Sequence, residues 1–148
     1  MIVITENIIK IEEYINESND SSSGSLLIFC GTTRDNNLGK SVDYLEYESY
    51  VDMAKLKLKE IADFSISKWS LNNLKIIHRI GKIEISEISL LIIASSSHRN
   101  ESFRAIEYIV SELKKSVPIW KKEYYTDGES WIGSPDNPFF ARMVVNRY

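Results

Sequence analysis

The chain has 148 residues, 43% of them hydrophobic and 26% charged, with a formal net charge of −3. This suffices for one domain with a sizeable core, and the acidic balance excludes an overall nucleic-acid-binding signature. No apolar run approaches the roughly 20 residues needed to span a bilayer, the start carries no secretory pattern, and the lone Cys30 excludes an internal disulfide, so the cytoplasm is the expected compartment.

Residues 6–16 read as a first, short helix, which the polar loop 18–25 separates from the first predicted strand. That strand is Leu26-Leu27-Ile28-Phe29-Cys30, a buried one ended by Gly31. A loop dense in turn formers, 31–40, leads to a second strand over 42–47. A long helix is predicted over 51–68, with Tyr50, Ala54, Leu58, Ile61 and Ser65 at helical spacing. Residues 74–80 read as a strand stopped by Gly81, and 88–94 as a strand buried on both faces. The second long helix comes after Ser97-His98-Arg99-Asn100, with Ser97 or Asn100 as its cap. Its stripe is Phe103, Ile106, Val110, Leu113 and Val117, and Pro118 forbids continuation. Two short strands, 119–125 and 130–132, close a hairpin around 126–129. The expected class is α+β, a single domain over 1–148 with the tail 134–148 unplaced.

The segment Leu113-Lys114-Lys115-Ser116-Val117-Pro118-Ile119-Trp120-Lys121-Lys122-Glu123 sets four lysines around a proline-broken junction. Lys114 borders the apolar stripe of its helix, and strand alternation puts Ile119, Lys121 and Glu123 on one face. Such lysines suit an anionic site or an acid, base or nucleophile, although by spacing alone stems snorkelling along the surface are the favoured explanation. His98 and Arg99 precede a helix N-terminus, where an anion is favoured; two solvated side chains are the plainer reading. Arg34 stands in a turn-rich loop and is by itself an ordinary exposed arginine. His78, just before Gly81, reads as a buried, hydrogen-bonded or interface histidine rather than a catalytic one. With two histidines and one cysteine there is no zinc constellation, and no phosphate-binding glycine loop or nucleophile elbow occurs.

Four motifs in order, 29–39, His78-Arg79-Ile80-Gly81, Ser97-His98-Arg99 and 113–123, resemble the large, catalytic subunit of molybdopterin synthase. Order and spacing agree from about Gly24 to Trp131. The resemblance implies an α/β hammerhead-type fold, mostly antiparallel with two long helices, and a homodimer. It also implies a heterotetramer with a small ubiquitin-like sulfur-carrier subunit, whose C-terminal Gly-Gly thiocarboxylate enters this subunit. The substrate would be cyclic pyranopterin monophosphate, which receives two sulfurs in a step of molybdenum cofactor biosynthesis. No resident cofactor or metal is implied, and neither nucleic acid nor membrane is a partner. On the family's pattern Lys114 and Lys121 are the catalytic pair, Arg34, His98 and Arg99 bind substrate with Phe29 beside them, and Lys115 and Lys122 are solvated neighbours. The sequence departs from the pattern in two places. The turn 82–87 lacks an expected glycine, and a C-terminal arginine of the site is matched only by the candidates Arg142 and Arg147. A non-catalytic dimeric module capturing a carrier's C-terminal carboxylate is the alternative; a phosphate-ester hydrolase built on His98 and Arg99 lacks a nucleophile.

Overall fold

The apolar run 88–94 forms the centre of the molecule. In the computed structural model, which describes residues 1–18, 20–126 and 128–132, it is part of β7 (Ile88–Ser96). The elements before it are β1 (Ile2–Thr5), α1 (Glu12–Ile15) with a 3-10 turn at Asn16–Ser18, β2 (Ser25–Thr32), β3 (Asn36–Asn37), β4 (Lys40–Ser49), α2 (Val51–Trp69), β5 (Asn73–Arg79) and β6 (Gly81–Glu84). After it come α3 (Arg99–Ser116), β8 (Ile119–Tyr125) and β9 (Gly128–Ile132). One sheet has the order β1-β5-β7-β2, parallel only between β1 and β5. The other runs β3-β4-β8-β9, with β6 also along β4, and is antiparallel throughout. The expected α+β class, mostly antiparallel with two long helices, is what forms.

Alternation explains why β7 carries no polar face. Leu90, Ile92 and Ala94 pack against α2 and α3 through Leu58, Ile61, Ile109 and Leu113. Leu91 and Ile93 point the other way, onto Ile77 and Ile9. Both faces of the strand are covered, so a continuous apolar run is the stable solution. On α2 the predicted stripe holds for Ala54, Leu58, Ile61 and Ser65, which are buried. Ser65 tolerates this because its Oγ donates to the Ile61 carbonyl at 2.7 Å. Tyr50, at the head of the stripe, is instead exposed.

On α3 the buried row is Ser102, Ala105, Ile106, Ile109 and Leu113, so Phe103 lies one step off it and is 58% exposed. Helical periodicity through Ile106 and Leu113 fits either row, and the sheet selects the one with smaller residues at its start. The expected helix over 6–16 is a larger correction. Only a single turn forms there, and Ile2–Thr5 becomes a strand that pairs with β5. Ile2 and Ile4 face the helices while Val3 faces the other layer. A parallel partner more than 70 residues away leaves no local signal of such a strand.

The missing glycine of the 82–87 turn also finds its explanation. Ser86 takes φ +69° there, a conformation that glycine adopts without cost. The turn is held by Glu87, whose Oε2 accepts from the Glu84 amide at 2.8 Å and from Arg79 Nη1 at 2.7 Å. Ser86→Gly is therefore expected to raise stability by about 0.5–1 kcal/mol, the left-handed penalty less glycine's entropy, measured by urea denaturation. No described helix is long and apolar enough to cross a membrane.

Candidate active site

Pro118 converts a helix into a strand over three residues. It has no N–H to continue α3, and the chain turns so that Ile119 N donates to the Val117 carbonyl at 2.8 Å. The Pro118 carbonyl accepts from Tyr50 N at 3.2 Å and from Ser49 Oγ at 3.1 Å. The junction is thus clamped to the end of β4 and the start of α2. As a result Lys114, on the last turn of α3, and Lys121, on β8, open onto one cavity of about 390 Å³, a size typical of small-molecule sites.

Strand register builds the floor of that cavity. Gly31 of β2 lies opposite Leu90 of β7, and Leu90 lies opposite His78 of β5; all three line it. Phe29, Leu113 and Lys114 line it as well, and so do Tyr47 of β4 and Lys121. Burial raises the Tyr47 phenol above its ordinary pKa, so it stays a neutral hydroxyl at physiological pH. Phe29 and the two lysines are therefore gathered as expected.

The lysines differ in their surroundings. Lys114 stands exposed at the rim. Lys121 Nζ lies 2.7 Å from Glu123 Oε1, the two sharing a face of β8 as alternation requires. Glu123 is only 3% exposed and its Oε2 also accepts from Asn37 Nδ2 at 2.9 Å and Tyr125 OH at 2.5 Å. Burial pushes this carboxyl up, but the donors Lys121, Tyr125 and Asn37 together hold it below the ordinary value. Glu123 is consequently an anion at neutral pH and fixes where the Lys121 ammonium sits.

Their neighbours are also unequal. Lys115 is exposed and pairs with Glu112 at 3.1 Å, as a solvated side chain should. Lys122 corrects the expectation: it is 8% exposed, with Nζ 4.7 Å from the centroid of the Tyr124 ring. Its strand lies between β4 and β9, and Glu46 is its cross-strand neighbour, so this lysine is covered and not bathed in water.

Arg34 is exposed, its Nη2 donating to Asn37 Oδ1 at 3.4 Å. It lines a smaller adjoining hollow that shares Thr32, Tyr47 and Lys121 with the main cavity. His98 and Arg99 are not part of either. His98 is the N-cap of α3 and Arg99 its first residue; 15 residues separate Arg99 from Lys114, about 22 Å of helix at about 1.5 Å per residue. The cap expected from Ser97 or Asn100 does not form. Instead Ser96 Oγ donates to the His98 carbonyl at 2.7 Å and meets Ser102 Oγ at 2.5 Å. Arg142 and Arg147 lie outside the described residues.

Sequence reasoning missed three contributors: Tyr47, Glu123 as the anchor of Lys121, and His78 as cavity wall. Glu123 had a signal, since alternation alone places it beside Lys121. The expected burial of His78 holds, but nothing local reveals that its end of β5 joins Leu90 and Gly31 in lining the cavity onto which Lys114 of α3 opens.

The family model for MoaE protein matches residues 4–116. The molybdopterin synthase catalytic subunit of Staphylococcus aureus (strain COL) is 41% identical over 131 residues, 88% of each chain. That of Dictyostelium discoideum is 41% identical over 143 residues, 94% of this chain and 90% of the relative. Among solved structures, the X-ray crystal structure of molybdopterin synthase from Staphylococcus aureus superposes with a TM-score of 0.82 at 41% identity, covering 90% of this chain and 96% of that one. A protein–protein complex of subunits 1 and 2 of molybdopterin-converting factor from Helicobacter pylori shares the fold, with a TM-score of 0.76 at 18% identity over 97% and 98% of the two chains. Family model, relatives and fold agree: this chain belongs to the MoaE family, that of the molybdopterin synthase catalytic subunits.

Proposed function

We propose that the cavity between Lys114 and Lys121 is where this subunit moves sulfur from the C-terminal thiocarboxylate of a small ubiquitin-like carrier onto cyclic pyranopterin monophosphate. The observation that carries the reading is the convergence of two lysines from different elements on one small-molecule-sized cavity. Both reactants are anions, and the hollow containing Arg34 extends the same cationic wall. Each transfer forms one C–S bond at a precursor carbon and displaces the oxygen that carbon carried, a phosphate-ester oxygen that stays on phosphorus in one case and an oxygen lost as water in the other. Water breaks the acyl C–S bond and restores the carrier's carboxylate. Two such transfers yield the dithiolene. Lys114 and Lys121 serve as proton donor and acceptor, or one bonds the carrier's tail transiently. Arg34 holds developing negative charge. The chemistry belongs in the cytoplasm.

His98 and Arg99 enter this reading through a second copy of the chain. About 22 Å of helix keeps them from the lysines of their own chain, whereas a homodimer can present one copy's helix start to the other's cavity. This is tested by mixing two inactive variants, Lys114→Ala and the double variant His98→Ala/Arg99→Ala, after dissociation and reassociation. Mixed dimers then contain one site with all its residues, and activity returns to about a quarter of wild type. If activity stays absent in the mixture, each site is built from a single chain. Incubating wild-type protein with thiocarboxylated carrier and precursor, and finding no dithiolene by mass spectrometry, would reject the sulfur transfer and favour simple capture of the carrier's tail.

A further inference from the structure

His78 forms part of the cavity floor and is 3% exposed. It stands in line with Leu74 and Ile76 on the helix-facing side of β5, where those two join the core under α2 and α3. One ring nitrogen is committed: Nδ1 lies 2.8 Å from the Arg79 carbonyl oxygen. A carbonyl can only accept, so Nδ1 carries the hydrogen. The Tyr47 ring meets the imidazole edge-on at 5.2 Å, fixing its plane. Lys114 and Lys121 line the same cavity, with the Glu123 carboxylate held by Lys121, and the Arg79 carbonyl favours a charged ring less than burial opposes it. Nε2 is then an imidazole lone pair in a wall whose other polar groups are the lysine ammoniums and the hydroxyls of Thr32, Tyr47 and Ser89.

We propose that Nε2 of His78 is a binding acceptor for an N–H donor of the substrate's heterocycle, so that this wall recognises the ring while the lysines handle the charged groups. Burial, the largest influence on the ring, keeps it neutral, with a pKa of about 4; the acceptor is therefore present throughout the neutral range. The inference rests on the sulfur-transfer reading for the identity of the ligand, a pterin rich in N–H groups. An anion-binding histidine would need the opposite protonation state, which separates this residue from Arg34 and the lysines.

Two variants divide the two nitrogens. His78→Asn keeps an amide N–H for the Arg79 carbonyl and removes the acceptor; His78→Gln reaches the Nε2 position with a carbonyl oxygen and gives up the Arg79 bond. With saturating thiocarboxylated carrier, His78→Asn is expected to raise the precursor KM about tenfold, the scale of one lost hydrogen bond that strands a donor. His78→Gln should stay within about threefold of wild type. A wild-type KM in His78→Asn, or a larger defect in His78→Gln, overturns the proposal, because the Arg79 bond would then be what matters. If His78→Asn does not fold, the 15N resonances of the wild-type imidazole decide: precursor should move the unprotonated Nε2 signal upfield, and an unmoved signal rejects the contact. Wild-type turnover is measured beside these variants. Its absence would refute sulfur transfer itself, whereas turnover with an unaffected His78→Asn refutes only the His78 assignment.

Discussion

Alanine at Lys114 or at Lys121 is expected to lower dithiolene formation by at least about a hundredfold, the range of a lost acid–base group, while thermal unfolding changes little. Lys114 is exposed at the cavity rim, and truncating such a side chain seldom costs more than about 0.5 kcal/mol. Lys121 is ion-paired, yet its removal leaves Glu123 with Asn37 and Tyr125 as donors, so the buried carboxylate does not become an orphan. Stability and chemistry are therefore separable at both positions. The double variant should be little worse than either single one, because groups that act in one step are not additive. Arginine at each position refines the result. It retains the positive charge but cannot release its proton under these conditions, so rescue by Lys→Arg means that the site needs only charge, and failure means that it needs a transferable proton. Lys115→Ala, whose parent side chain pairs with Glu112 on the wet side of α3, should stay within about twofold of wild type, as surface substitutions do. Near-normal turnover in both Lys114→Ala and Lys121→Ala would remove the assignment.

How much of the fold is legible in the sequence depends on how local each determinant is. The two long helices and β7 announce themselves because their apolar pattern is complete within about 20 residues. Pro118 marks its own junction by the donor it lacks, and strand alternation is enough to put Lys121 and Glu123 on one face. The failures lie where a distant element decides. β1 exists because β5 offers it an edge. Phe103 is exposed because the sheet selects the neighbouring row of α3. Lys122 is covered because its strand becomes interior to a sheet. The cavity is the extreme case. Its floor is assembled from β2, β7 and β5 and its lysines come from α3 and β8, so spacing alone favours snorkelling. The ordered motifs signal the set of residues, but not that the fold keeps His98 and Arg99 far from the lysines of their own chain.

Acidification should weaken the fold by about 3 kcal/mol through His78 alone, a shift from 6.5 to about 4 at about 1.36 kcal/mol per unit. The direction is set by which state binds the proton. The unfolded chain takes up a proton at the imidazole near pH 6.5, whereas the native ring, deprived of water by burial, resists it until about pH 4. Between these values the unfolded state binds more protons, so stability rises with pH and is lost as pH falls through that window. Arg79's carbonyl moderates the effect by favouring the charged ring through its hydrogen bond, but desolvation is the larger influence. Glu123 and Glu87 act in a different range. Their native carboxyls lie below the ordinary 4.5, so the stability they supply is present above that value and disappears only as pH drops further. Urea midpoints measured from neutral pH down to about pH 5, above the carboxylates' range, carry the histidine together with the Met1 ammonium, whose pKa burial also lowers, and the variant separates the two. Wild-type protein should show a steep loss there, and His78→Asn, which has nothing to titrate at that position, should show most of that slope removed. An unchanged slope in the variant would mean that His78 titrates normally in the native state, and with that the neutral acceptor in the cavity wall would go as well.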